Sequence, residues 1–227
     1  MDKLLSNIKI EVPKGIYLKD PESSALGRKI IEHSIVLIHD VGFENFNLKK
    51  LGQLISSNES SIYRYFESKH KLLVYLSAWY WSWIEYQLIV ETYSIAQLTE
   101  KLEKAIDVVT RTTKQDSNYS HINEVLLNTI IINENSKSYL TKDVDLGNKE
   151  GYFLPYKRVI HRLSDIISSY NTEYKFPLNL SSTIVENSLY QQFAITHFTS
   201  ITNCNDTALT PTDYFKDLVF KTLNYGK

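Results

Sequence analysis

The stretch NLKKLGQLISSNESSIYRYFESKHKLL, Asn47 to Leu73, decides the fold. Asn47 is a good helix cap, because its side-chain oxygen can accept from the unpaired amides of a first helical turn. Leu48, Leu51 and Ile55 then give one apolar face. Ser56-Ser57-Asn58 interrupts that helix, and Asn58 can cap another running to about Phe66, with Ile62 and Phe66 inward at i,i+4. Ser68 caps a long helix from Lys69 to about Glu91. Two short helices joined by a tight turn bury too little to stand alone. Their value is geometric: the second can project from a domain and enter a DNA major groove. Its positions unused for packing are Glu59, Ser60, Ser61, Tyr63 and Arg64, all donors or acceptors. Between Asn45 and Lys71 the basic residues Lys49, Lys50, Arg64, Lys69 and Lys71 outnumber the acids Glu59 and Glu67.

Upstream, Asp20-Pro21-Glu22-Ser23-Ser24 reads as a helix entry, with a capping Asp and a Pro in the first turn. Ile30, Ile31, Ile35 and Ile38 follow at helical spacing, and Gly42 is a left-handed stop with Phe43 able to pack back. Downstream, periodicity predicts helices over about 96–114, 121–133, 148–170, 180–201 and 212–225, with loops at 115–119, 133–148, 171–177 and 202–211. No period-2 ladder appears, so the chain reads as all-α. Gly (7) and Pro (5) are scarce against roughly 16 and 11 at average usage, which fits long unbroken elements.

The whole chain of 227 residues carries 25 Lys+Arg against 26 Asp+Glu, a net charge of −1. That excludes a protein that binds nucleic acid by bulk positive charge. A single cysteine, Cys204, excludes a disulfide framework and multi-cysteine metal sites. Met1–Gly15 has no apolar run followed by a small-residue cleavage site, so no secretory leader is expected. The most apolar stretch, Tyr75 to Val90, contains Ser77, Ser82, Glu85 and Gln87 and reads as a buried helix, not a membrane span. A cytoplasmic location is the expectation.

The residues Gly42-Phe43, Asn47, Leu51-Gly52, Ile62-Tyr63-Arg64-Tyr65-Phe66, Ser68-Lys69 and Leu72-Leu73 stand in fixed register without a gap. In this respect residues 28 to 73 resemble the DNA-binding domain of the tetracycline-repressor (TetR) family of bacterial transcription regulators. The resemblance implies an N-terminal three-helix helix-turn-helix domain, residues 1–70, and a helical ligand-binding and dimerisation domain, residues 71–227. It implies that Asn47, Tyr63, Tyr65 and Lys69 hold backbone phosphates, and that Glu59, Ser60, Ser61 and Arg64 face base edges, with Arg64 suited to guanine. Two positions depart from the family's pattern. Ser56-Ser57 replaces a Gly-containing turn, and Glu59 stands where a basic residue or Gln is common.

Plainer readings compete with each assignment. Two short helices can be an ordinary hairpin, and Tyr63 and Tyr65 can pack with a wet hydroxyl. The aromatics Trp79, Trp83 and Tyr86 are candidates for a ligand pocket, and core packing is the commoner fate of such residues. His161 and Asp165 at i,i+4 read as a surface pair, not a metal site. Met1–Lys19, with Lys3, Lys9, Lys14 and Lys19, could track a minor groove, but reads better as an arm packing Ile8, Ile10 or Tyr17 on the domain. The last two helices hold more apolar residues than one inward stripe needs, so Phe193, Phe198 and Leu218 are expected in a two-fold interface.

Together these readings describe a ligand-responsive repressor, not an enzyme, acting as a homodimer on a palindromic double-stranded operator, with an unidentified small-molecule effector, no cofactor, no metal and no membrane. The alternative is a helical small-molecule-binding protein or enzyme whose helix-turn-helix is inert, and Glu59 together with the near-neutral charge favours it.

Overall fold

A computed structural model describes residues 10–115, 119, 121–204 and 208–224. These form ten α-helices and no strand: α1 (Ala25–Asn45), α2 (Leu48–Leu54), α3 (Glu59–Tyr63), α4 (Lys69–Tyr93), α5 (Leu98–Thr110), α6 (Glu124–Tyr139), α7 (Val144–Lys149), α8 (Leu154–Tyr170), α9 (Pro177–His197) and α10 (Pro211–Leu223). Among the described residues no helix is long and apolar enough to cross a membrane.

The chain packs as two compact units. The first holds the described residues through Ser82 together with Thr113–Pro155, and the second holds Trp83–Thr112 with the described residues from Tyr156 onward. Packing therefore divides the chain elsewhere than the functional boundary expected between residues 70 and 71. α4 contributes Lys69–Ser82 to the first unit and Trp83–Tyr93 to the second.

In the first unit the helix entry is built in two stages. The Asp20 carboxylate accepts from the Glu22 amide at 2.9 Å and caps a 3-10 turn, Pro21–Ser23. Ser24 then turns extended, with φ −151° and ψ 155°, and its hydroxyl caps α1 by accepting from Gly27 N at 3.1 Å. Ile30, Ile31, Ile35 and Ile38 are all buried. Gly42 takes φ +74°, the left-handed stop read from the sequence, and one further turn ends at Asn45. α1 packs on α6 and on α2, and α2 packs on α3. Phe66 meets Tyr75 edge to face at 5.3 Å, and Tyr17 meets the same ring at 6.0 Å. The arm is thus fixed on the domain from Ile10, itself buried, with the Ser82 hydroxyl donating to the Glu11 carbonyl at 2.8 Å. Ile8, Lys3 and Lys9 lie outside the described residues.

The expected loop over 133–148 is mostly helix, since α6 runs on to Tyr139 and α7 follows. Asn133 and Asn135 are weak helix formers, but Asn135 is buried and its side-chain oxygen lies 3.4 Å from both Ser77 Oγ and Trp81 Nε1. Tertiary partners override local propensity there. The helix expected from 148 starts at Leu154 instead, after Gly151 at φ +81°, with Pro155 in its first turn.

In the second unit α5 packs on α9 and α10. Thr110 Oγ1 donates to Thr212 Oγ1 at 2.9 Å, and the Ser188 hydroxyl reaches the Val109 carbonyl at 3.2 Å. Thr210 and Asp213 form a reciprocal capping box at the start of α10. Glu85, buried on α4, is held by Arg158 Nε at 2.6 Å and Arg162 Nε at 2.7 Å, so its charge is paired from two successive turns of α8. The Arg111 guanidinium, hydrogen-bonded to Glu91, holds that carboxyl below its ordinary range. The stability from this pair is present above the usual carboxylate pKa and is lost as pH falls through the lowered value.

Gly27 permits the closest approach in the first unit. A Cβ there would lie 2.1 Å from the Pro21 carbonyl oxygen and 2.6 Å from Pro21 Cα, both backbone atoms. Gly27→Ala is therefore expected to cost about 1–3 kcal/mol, read as a lower urea midpoint at unchanged slope. An unchanged midpoint would mean that the 3-10 turn does not sit on α1 as described.

Candidate nucleic-acid interface

The helix-turn-helix is assembled from α2 and α3. Asn47 is extended, with φ −150° and ψ 160°, and its Oδ1 accepts from Lys50 N at 2.8 Å, starting α2. Asn58 does the same for α3, accepting from Ser60 N at 3.1 Å. Leu48, Leu51, Ile55, Ile62 and Phe66 are buried beneath the two helices. Between them, Ser56 takes φ +54°, the left-handed conformation for which a Gly is the usual residue. A nearby glycine does other work: the Gly52 carbonyl accepts from Ser57 N at 2.9 Å, and a Cβ on Gly52 would lie 2.9 Å from the Ser57 carbonyl oxygen. The turn closes on α2 at that point.

α3 is five residues long, shorter than the helix read to Phe66, and Arg64 continues it with φ −70° and ψ −17°. Ser60, Tyr63 and Arg64 share its outer face and are exposed, while Glu59 and Ser61 are partly exposed at its sides. The Arg64 guanidinium makes no hydrogen bond or ion pair among the described residues, while its backbone N–H donates to the Ile62 carbonyl. Lys49 and Lys50, which the sequence reading counted only toward charge, lie exposed at the start of α2, with Lys50 Nζ donating to the Asn45 carbonyl at 2.9 Å.

Two expected phosphate contacts are placed otherwise. Tyr65 is buried, and its hydroxyl is 2.8 Å from Ser24 Oγ, at the cap of α1. The Lys69 ammonium donates to the carbonyls of Phe43, Glu44 and Phe46 at 3.0, 3.2 and 3.2 Å, and lies 4.7 Å over the Phe43 ring. All three of its donors are thus turned onto the end of α1. Either side chain would have to break these bonds to reach a phosphate. No spacing rule reveals this, because the carbonyls belong to a segment 23 to 26 residues earlier.

The aromatic candidates on α4 are packed. Trp79 and Trp83 are 2% and 1% exposed, and Tyr86 is half-buried. Trp79 meets Tyr119 edge to face at 5.3 Å, and the Tyr80 hydroxyl donates to Asn128 Oδ1 at 2.7 Å. None of the three lines the cavity of about 670 Å3 that opens in the first unit. In the second unit Phe193 and Leu218 are half-buried and Phe198 is half-exposed, with the two Phe rings 5.5 Å apart. Tyr190 on α9, Ile201 in the turn after it and Tyr214 on α10 are also exposed. Among the described residues no group of three or more His, Cys, Asp or Glu side chains could hold a metal.

Known structures share this all-helical arrangement with a helix-turn-helix near the start of the chain. No family model matches the sequence, and no curated protein matches it by sequence. AibR in complex with isovaleryl coenzyme A and operator DNA is similar at 17% identity and a TM-score of 0.53, over 86% of this chain and 97% of that one. The TetR family transcriptional regulator PfmR from Thermus thermophilus is similar at 13% identity and a TM-score of 0.52, over 87% and 98% of the two chains. The superantigen PfiT is similar at 13% identity and a TM-score of 0.60, over 91% and 100%. The chain therefore has a TetR-like fold.

Lys69→Ala removes the donor for three carbonyls and is expected to cost about 1–3 kcal/mol of stability. Arg64→Ala, on the exposed face, is expected to stay within about 0.5 kcal/mol of the parent. Chemical denaturation of both variants checks the contrast, and equal stabilities would return Lys69 to the surface.

Proposed function

We propose that the protein is a sequence-specific, double-stranded-DNA-binding transcription regulator, a ligand-responsive repressor acting as a homodimer in the cytoplasm. The observation that carries this is the outer face of α3, where Ser60, Tyr63 and Arg64 stand exposed over a fully buried Ile62 and Phe66. A short helix held this way by apolar residues beneath it presents hydrogen-bonding groups at major-groove reach. Arg64, Ser60, Ser61 and Glu59 would face base edges, and Glu59 can accept from a cytosine amino group. Asn47, Tyr63, Lys49 and Lys50 would hold phosphates.

The similar fold of AibR, whose structure holds operator DNA and isovaleryl coenzyme A, supports a DNA operator and a small molecule as partners here. The apolar surface of Phe193, Phe198 and Leu218 supports a two-fold interface, hence a palindromic operator. Residues 1–70 would then carry DNA recognition, and residues 71–227 the effector and the second subunit. An effector acts by preferring one arrangement of the α4 helices and so one spacing of the two recognition helices.

A second reading is a helical binding protein or enzyme with an inert helix-turn-helix. Glu59 at the start of α3 favours it, since an acid near phosphates opposes binding, and PfiT has a similar fold with a different role in its name. A salt titration on random duplex separates the two. A steep fall of log affinity with log salt supports the regulator, and no binding at low salt supports the rival.

Arg64→Ala is expected to relax preference at one base pair and to cost roughly 1–3 kcal/mol on the selected operator alone. A uniform loss on every duplex would reassign Arg64 to phosphate. Phe198→Glu combined with Leu218→Glu is expected to give a folded monomer with lost operator affinity, measured by sedimentation and gel shift. A monomeric parent protein would remove the two-fold reading.

A further inference from the structure

The cavity of about 670 Å3 in the first unit is bounded by the end of the N-terminal arm, the start of α4 and the α6–α8 connection. Its charges are unequal. The carboxylates of Glu67, Asp143 and Glu150 line it, against one ammonium, Lys71, and the imidazole of His70, whose Nε2 lies 3.2 Å from the Lys137 carbonyl. That ammonium is already engaged: it donates to the Tyr152 hydroxyl at 2.5 Å and the Gly15 carbonyl at 3.3 Å, and lies 4.0 Å over the Tyr152 ring. The Tyr152 hydroxyl in turn donates to Glu150. Burial, together with that carboxylate, keeps the Tyr152 phenol above its ordinary pKa and so protonated as the donor. Glu67 and Asp143 are exposed and make no ion pair among the described residues. Aromatic groups complete the walls, with Tyr17, Tyr152 and Phe153.

Surplus carboxylate and aromatic walls suit one kind of guest. Ring faces attract a weakly hydrated cation, and the carboxylates supply the counter-charge. An anion would meet three like charges and a lysine two of whose three hydrogens are already used. We propose that this cavity is a binding site for a small organic cation with an apolar body, such as an aryl or alkyl ammonium.

The position gives the guest a means of control. Glu67 and Ser68 form the joint between α3 and α4, and the Ser68 hydroxyl caps α4 by accepting from Lys71 N at 3.1 Å. On the arm side of the cavity, Leu18 N donates to the Tyr65 carbonyl at 2.8 Å, just after α3. A cation seated here touches both attachments of the recognition helix. Its effect on DNA rests on the regulator reading above; its binding does not.

Tetraphenylphosphonium and tetraphenylborate have the same shape and opposite charge, and benzyltrimethylammonium is a smaller cation. Calorimetry on the full-length protein is expected to show one phosphonium or ammonium site per chain, with the borate at least about ten-fold weaker. The exposed, near-isosteric changes Glu67→Gln and Asp143→Asn together should weaken the cation by about five-fold or more at unchanged melting temperature. The single change Asp143→Asn should give a smaller loss of the same sign. The proposal is overturned if neither cation binds, if the borate binds as tightly, or if the carboxamide variants bind as the parent does. Where the parent binds duplex, saturating phosphonium should shift its affinity roughly five-fold or more. Cation binding without that shift overturns the control role, whereas cation binding by a protein with no DNA affinity overturns the regulator reading instead.

Discussion

A single ammonium closes the frame on which the helix-turn-helix stands. Lys69 begins α4, and its three hydrogens go to carbonyls at the end of α1. Those carbonyls are left over because α1 ends at Asn45, one turn past the kink at Gly42. The helix end supplies the acceptors and the lysine fills them, so that α1 and α4 are tied at one point. α2 and α3 occupy the stretch of chain between the two tied ends. Their own hydrophobic contribution, five buried side chains, could not fix their direction alone.

A second tie of this kind organises the rest of the first unit. Ser24 caps α1 and also meets the Tyr65 hydroxyl, so the start of α1 is tied to the end of the helix-turn-helix. Both ends of α1 are thereby coupled to the flanks of α3 by polar contacts. What remains for solvent is the face bearing Ser60, Tyr63 and Arg64. An outer face is easier to leave polar when the scaffold beneath it is held from both sides.

Local chemistry in the sequence marked the caps well. Asn47, Asn58 and Ser68 each accept the backbone hydrogen bond that their residue type suggested, and Gly42 takes the left-handed backbone expected of it. These depend on atoms a few residues away. The hidden part is long-range. Asn135 reads as a loop residue until Ser77 and Trp81 stand beside it, and Lys69 reads as a phosphate ligand until the carbonyls near Phe43 are in place. Tyr65 carries the same lesson, because its partner Ser24 is 41 residues earlier. The cavity could not be read at all, since its carboxylates come from separate segments with no shared period.

Ser56 sits at φ +54° with a side chain that gains nothing obvious from being there. A non-glycine residue in that backbone well carries roughly 1–2 kcal/mol of steric cost, held in place by the surrounding turn. The turn is therefore a loaded spring next to the most functionally exposed helix of the chain. Springs of this kind lower the work needed to open a segment locally, so the turn is where the otherwise well-tied first unit would breathe first. For an engineer, a glycine at this point would relieve that strain, offset in part by the freedom it adds to the unfolded chain, without altering any group on the outer face of α3.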